Sequence, residues 1–232
     1  MKDNNYNIIA TIKPWNISFF KKKIKLLKGD WKIVTNPSQL KIKKSKIKKV
    51  KNIFFIHWSY LVSKDILKKY NCICFHMTNL PYGRGGTPLQ NLIIRKKKYT
   101  NISAFIMNDQ IDSGDLIKIK REKLVLNGSA QQIYERSSKI IFNMIKKIIK
   151  MKKIITHKQK GQIINFKRLK NNSEIDVNSN NLNNIYDHIR MLDAKTYKNA
   201  YIKIGKLKID FFNVKKLKNR LCLKGFIKLD DK

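Results

Sequence analysis

The chain has 232 residues, of which 42% are hydrophobic, and its 52 Lys and Arg against 15 Asp and Glu give a formal charge of +37. That length supports one good core with room for a small appendage. The composition excludes a collagen repeat, a disulfide-dense secreted scaffold, and any apolar run of about 18 residues that would insert in a membrane.

The elements expected in chain order alternate at first. Residues 6–11 (YNIIAT) are a short apolar strand, and 17–27 (ISFFKKKIKLL) carry apolar residues at helical spacing. Residues 31–35 (WKIVT) read as a strand, 39–50 as a poor, Lys-rich helix, 53–56 (IFFI) as a buried strand, a second helix (DILKKY) opens after Ser63, and 72–75 (CICF) are again a strand. Strands alternating with helices imply crossovers and a mostly parallel sheet. Residues 80–88 (LPYGRGGTP) form a glycine loop, and Thr87-Pro88 is a helix start with a hydroxyl at the N-cap and Pro at the first position. That helix runs to about Arg95. Residues 102–107 are a strand, 108–115 (NDQIDSGD) an acidic loop, and 116–120 an alternating strand. Ser129 and Gln132 make a capping box for a long helix with Ile133, Ile140, Ile141, Met144, Ile145, Ile148 and Ile149 on one face. A polar, Asn-rich linker follows over 158–184, then a short helix over 185–193 and strands over 201–209 and 220–229. The expected organisation is a catalytic α/β domain over 1–157, the linker 158–184, and a small β-rich subdomain over 185–232, either a truncated barrel or a dimerisation hairpin.

Cys72, Cys74 and Cys222 form no metal quartet, and an odd number of cysteines argues against a disulfide scaffold. No metal is expected. The first ten residues lack a basic start before a long apolar stretch, so the expected compartment is the cytoplasm. His57 and His76 each follow a strand, and Asp112 follows a third. In a parallel sheet ligands bind at the carboxyl ends of the strands. A carboxylate beside an imidazole orients it and stabilises its protonated form, which makes a general acid/base pair. Taken one at a time, a lone His, a glycine loop and an Asp in a turn are each commonly structural.

Together they resemble one family. FHMTNLPYGRGGTP (75–88) is similar to the formyltransferase signature N-x-H-x-S-L-L-P-x-x-R-G-x-x-P, and IDSGD (111–115) to that family's L-D-T-G-D loop. His76 and Asp112 stand 36 residues apart, a spacing the family shares. YLVSK (60–64), FKR (166–168) and IRMLDA (189–194) extend the resemblance over most of the chain. It implies a Rossmann-like α/β core and a formyltransferase that uses 10-formyltetrahydrofolate as co-substrate. His76 is then expected to assist proton transfer and stabilise the oxyanion as an amine attacks the formyl carbon. Asp112 holds the imidazole and a relay water, and Thr78 keeps the hydroxyl of the family's Ser. The pterin is expected against Ser59, Tyr60 and Leu61 and against Asn108, Ile111 and Asp112. The substrate is expected near Thr78, Arg84, Gly85 and Gly86. Cys74 stands where the family has its catalytic Asn, and a thiol is a weaker donor than an amide.

The acceptor follows from two weighings. Of the 52 basic residues 45 are Lys and 7 Arg, and Lys, Ile and Asn make up 105 of the 232 residues, as an AT-rich coding sequence would produce. Specific nucleic-acid readers use Arg for bidentate contacts. The residues after the linker are also few for a five-stranded barrel that would grip tRNA. An amino sugar on a nucleotide carrier is therefore the expected acceptor. Methionyl-tRNA is the alternative, and a basic RNA-binding module on a decayed enzyme scaffold the second. The apolar residues after 185 exceed what a solvated tail carries, and a homodimer through that segment is expected.

Overall fold

The computed structural model describes residues 5–40, 49–169, 173–179 and 181–230. In chain order its elements are β1 (Asn5–Ala10), α1 (Pro14–Lys23), β2 (Asp30–Val34), β3 (Lys49–Ile56), α2 (Lys64–Lys69), β4 (Asn71–His76), β5 (Tyr82–Gly85), α3 (Pro88–Ile94) and β6 (Tyr99–Ile106). There follow β7 (Leu116–Ile117), β8 (Glu122–Val125), α4 (Ala130–Ile148), β9 (Thr156–His157), β10 (Ile164–Phe166), α5 (Leu182–Leu192), β11 (Ala200–Ile204), β12 (Leu207–Lys216) and β13 (Leu221–Leu229). Of the helix expected over 39–50, residues 41–48 lie outside the described residues. The rest is a 3-10 turn, Pro37–Leu40, and the start of β3. By packing, the chain forms two compact units, each drawn from three stretches. The first takes Met1–Gly85, Asn101–Leu124 and Glu135–Asn165, and the second Gly86–Thr100, Val125–Tyr134 and Phe166–Lys232.

The first unit holds a mixed, mostly parallel sheet in the order β2-β1-β3-β4-β6-β7-β9, with β8 beside β6. The pairs β1–β2, β1–β3 and β3–β4 are parallel, and β4–β6, β6–β7 and β7–β9 antiparallel. β3 is central and covered on both faces, so Ile53, Phe54, Phe55 and Ile56 are all fully buried. Such a strand has no reason to alternate, which is why its sequence is a continuous apolar run. One polar pair interrupts this core. Asn52 Nδ2 donates to Asn7 Oδ1 at 2.9 Å, where the β1–β3 register shifts between Tyr6 and Asn7. β5 lies in a two-stranded sheet with β10. The glycine loop expected over 80–88 thus contains a strand, because pairing with a partner offsets the low strand propensity of glycine.

The second unit contains α3, α5 and the antiparallel sheet β11-β12-β13. Ile175, Ile189 and Ala200 form its core, with Ile185, Leu192, Ile202, Phe211 and Val214 packed around them. The capping box is made as expected: Ser129 N donates to Gln132 Oε1 at 3.0 Å and Gln132 N to Ser129 Oγ at 3.4 Å. Thr87 behaves otherwise. It takes φ +45 and makes no side-chain cap; its hydroxyl accepts from Leu169 N at 3.1 Å and from Asn91 Nδ2 at 3.2 Å. α5 begins inside the expected linker because the Asn181 side chain accepts from Asn183 N and Asn184 N. The strand expected over 201–209 is two strands that turn at Gly205, and the one over 116–120 shortens to two residues. Among the described residues no helix is long and apolar enough to cross a membrane.

Candidate active site

β4 and β6 are antiparallel neighbours, and both fall in the first unit for the stretch that matters. β4 ends on His76, which is 7% exposed. His76 Nε2 lies 2.7 Å from the carbonyl of Gly83. A carbonyl only accepts, so Nε2 carries a proton and donates it there. Nδ1 is left facing Asp112 Oδ2 at 3.5 Å. Asp112 follows β6 in the acidic loop and holds φ +50, a left-handed conformation that Asp tolerates better than most residues. Its Oδ2 accepts from Gly85 N at 2.9 Å. Gly85 sits at φ +104, where a side chain would strain the backbone. Asp112 Oδ1 has no partner among the described residues.

The loop that carries Asp112 is anchored from below. A Cβ at Gly114 would stand 1.7 Å from the Ile106 carbonyl oxygen, so only glycine permits this approach. Gln159 Nε2 donates to Asp112 O at 2.9 Å and to Gly114 O at 2.8 Å. Gln159 Oε1 accepts from Arg84 Nε at 3.1 Å and Arg84 Nη2 at 2.8 Å. An arginine between two glycines beside an acidic loop can pair with that loop or meet an anionic substrate group. Here Arg84 meets that loop through Gln159, without an ion pair among the described residues. Gln159 was hidden in the sequence: a Gln in a polar stretch gives no periodic or motif signal.

The other candidates are distributed around this pair. Cys74 stands on β4 two residues before His76. Burial, reinforced by the nearby Asp112 charge, pushes its thiol well above the ordinary range, against the opposing Phe75 amide. Thr78 is fully buried, and its hydroxyl reaches toward Gly83 O at 3.4 Å. Ser103 Oγ donates to Thr78 O at 2.7 Å and accepts from Leu80 N at 3.1 Å, fixing the turn behind the imidazole. Ser59, Tyr60 and Leu61 form an exposed loop after β3, with Leu61 89% exposed. Next to them the Trp58 indole nitrogen is buried with no acceptor among the described residues. Asn108 Oδ1 accepts from Gln110 N at 3.1 Å and Ser113 Oγ at 2.8 Å, so it shapes the acidic loop, while Ile111 projects from it 67% exposed. Gly86 belongs to the second unit, where its amide donates to Phe166 O at 3.2 Å and a Cβ would meet Arg168 Cβ at 2.7 Å.

His57 is closed off. At φ +47 its Nδ1 accepts from Trp15 Nε1 at 3.3 Å and lies 3.0 Å from Asn16 Nδ2, while Nε2 is 3.2 Å from Ser137 Oγ. Burial, with Lys13 and His76 adding, lowers its pKa to about 3, so it is neutral at physiological pH. Among the described residues no three His, Cys, Asp or Glu side chains converge on a point that would hold a metal ion.

Comparison with known proteins gives three results. Residues 170–228 match the family model described as the C-terminal domain of methionyl-tRNA formyltransferase. The methionyl-tRNA formyltransferase of Sulfurimonas denitrificans is 27% identical over 115 residues, 46% of this chain and 37% of that relative, so the match spans little over a third of the relative's length. Among solved structures, methionyl-tRNA formyltransferase from Clostridium thermocellum is 40% identical, with a TM-score of 0.89 over 97% of this chain and 99% of that one. A 4-N formyltransferase from Francisella tularensis, 22% identical over 88% of this chain and 94% of its own, shares the fold with a TM-score of 0.62.

Proposed function

The chain belongs to the formyltransferase family that includes methionyl-tRNA formyltransferase, and from that premise we propose that it moves a formyl group from 10-formyltetrahydrofolate to the amine of methionyl-tRNA. The observation that carries this reading is the 40% identity with the Clostridium thermocellum methionyl-tRNA formyltransferase, of which this chain covers 99%. The acceptor expected from the sequence, an amino sugar on a nucleotide carrier, gives way to this alternative. That expectation rested on the shortness of the segment after the linker. A match of residues 170–228 to the C-terminal domain of methionyl-tRNA formyltransferase removes the objection. The +37 charge supports a polyanionic acceptor by raising its local concentration.

The residues fit the folate donor. Tyr60, Leu61 and Ile111 present exposed apolar surface on two loops, and the orphaned Trp58 N–H is a donor in want of an acceptor. Ser59–Leu61 and Asn108–Asp112 would hold the pterin, and the bound donor supplies a formyl carbon open to attack by an amine. His76 keeps Nε2–H on Gly83 O in either protonation state, so only Nδ1 gains or loses a proton. Asp112 Oδ2 faces that nitrogen at 3.5 Å and orients the ring. Asp112 Oδ1 is the lone carboxylate oxygen left to hold a relay water for the amine proton. Cys74 stays protonated at neutral pH and offers only a weak S–H donor where the family has an amide. Arg84 and Gly85, in the same unit as the pair, are set toward the acceptor in this reading.

The test is direct. The purified protein is incubated with 10-formyltetrahydrofolate and either methionyl-tRNA or nucleotide-linked amino sugars. Formylmethionyl-tRNA is the expected product. Transfer to the sugars alone overturns the acceptor, and salt-sensitive RNA binding without folate binding or transfer overturns the enzyme. We also propose a homodimer in the cytoplasm. Phe226, Ile227 and Leu229 on the edge strand β13 are more than 60% exposed, and pairing across a two-fold axis would cover them. Light scattering should give twice the 27.4 kDa chain mass.

A further inference from the structure

We infer that Gln159 is a positioning residue for Asp112, and that Arg84 acts on the His76–Asp112 pair through it. The inference rests on the formyl-transfer reading and deepens it. Both hydrogens of the Gln159 amide are spent on the Asp112 segment, at 2.9 Å to Asp112 O and 2.8 Å to Gly114 O. Its oxygen takes two donors from one guanidinium, at 3.1 and 2.8 Å. The orientation of the amide is therefore determined by its surroundings. Turned over, its oxygen would face two carbonyls and its NH2 a cation, and every contact would become repulsive.

The two carbonyls it joins are not equivalent. Gly114 sits so close to the Ile106 backbone that a Cβ there would stand 1.7 Å from the carbonyl oxygen. Asp112 holds a left-handed conformation, and among the described residues its backbone carbonyl is bonded by Gln159. Gln159 thus ties Asp112 to the closely packed Gly114. The direction of the Asp112 side chain, which must reach Gly85 N at 2.9 Å and face His76 Nδ1 at 3.5 Å, follows from that backbone. Gln159 is half-buried between the exposed Lys158 and Lys160, as befits one anchor in an otherwise solvated stretch. Arg84 polarises the amide from its other end, which strengthens the bonds to the two carbonyls.

The experiment compares Gln159→Leu, Gln159→Glu, Arg84→Leu and the double variant Arg84→Leu/Gln159→Leu. Gln159→Leu should lower kcat by about 10–100-fold with the KM values changed less than about twofold, the pattern of a lost supporting bond. Gln159→Glu keeps the size and the acceptor for Arg84 but sets a carboxylate oxygen against the carbonyls, and should fall as far. The double variant should fall no further than Gln159→Leu alone, since the two residues act in series. Hydrogen exchange of the Gly85 amide reads the carboxylate position without any assay of activity, and should quicken in both Gln159 variants. If the parent transfers no formyl group, the proposed function fails while the Gly85 exchange still decides the positioning. Parental kcat and parental Gly85 exchange in Gln159→Leu overturn the inference, as do multiplying losses in the double variant. Unfolding of both Gln159 variants also overturns it, because Gln159 then holds the unit together instead of aiming one carboxylate.

Discussion

His57 and His76 stand at the carboxyl ends of two neighbouring parallel strands, β3 and β4, and the protein treats them in opposite ways. His57 has hydrogen-bonding side chains at both ring nitrogens and is held neutral. His76 has one nitrogen committed to a carbonyl and the other facing a carboxylate. Topology brings both rings to the edge where ligands bind. The partners of the second nitrogen decide which ring faces a carboxylate, so strand position alone does not single out a candidate catalytic histidine.

Substitutions should separate the two roles, and the largest effect belongs to the open one. His76→Ala and Asp112→Ala should each lower formyl transfer by at least about 10²-fold while the thermal midpoint moves little. Near-parental turnover in both would dissolve the contrast. Gly114→Ala comes next. The 1.7 Å approach to Ile106 O cannot be relieved by a side-chain rotation, so a loss on the order of 3 kcal/mol or more in stability is expected by chemical denaturation, with activity falling alongside.

His57→Leu should show the reverse of His76→Ala. It takes one partner from each of Trp15, Asn16 and Ser137 and should cost roughly 1–3 kcal/mol of stability, with kcat of the folded protein near parental. Acid sharpens the same point. The folded pKa of His57 is depressed to about 3 from an ordinary 6.5. Its neutral form therefore stabilises the fold fully above about pH 6.5, and that contribution is lost as pH falls toward 3, because the unfolded chain binds the proton first. Unfolding followed against pH should show this slope in the parent and a shallower one in His57→Leu. The smallest effect is expected at Cys74. Cys74→Asn restores an amide next to Asp112 and should leave activity unchanged or improved; a folded, inactive variant would mean that the thiol belongs to a different geometry.

What was legible in the sequence was local. The apolar run of β3, the capping box at Ser129 and the spacing of His76 and Asp112 each depend on residues close in the chain or on a motif of fixed order. The unread features depend on distant partners. Gly83–Gly85 become part of a strand only because β10 lies beside them. The Thr87 hydroxyl looked like a cap but is taken by Leu169 N, 82 residues away. Gln159 reaches the site across 47 residues, from a stretch whose composition says only that it is solvated. The weighing of the acceptor has a related weakness: counting residues against a five-stranded barrel ignored that a three-stranded sheet and one helix can share a smaller core.

The second compact unit also sets a timetable for synthesis. Its early stretches, Gly86–Thr100 and Val125–Tyr134, precede the rest, which begins at Phe166. The Gln90 side-chain amide donates to Met191 O, 101 residues later, and α3 packs against α5. At roughly 5–20 residues per second, translation leaves a gap of about 5–20 seconds between α3 and the residues that cover it. Leu89, Leu92 and Ile93 are almost fully buried in the finished protein, and the part of that cover that α5 supplies arrives only after this interval. A ribosome stalled before α5 would therefore display α3 without the helix that packs on it, a surface for a chaperone to occupy in its place.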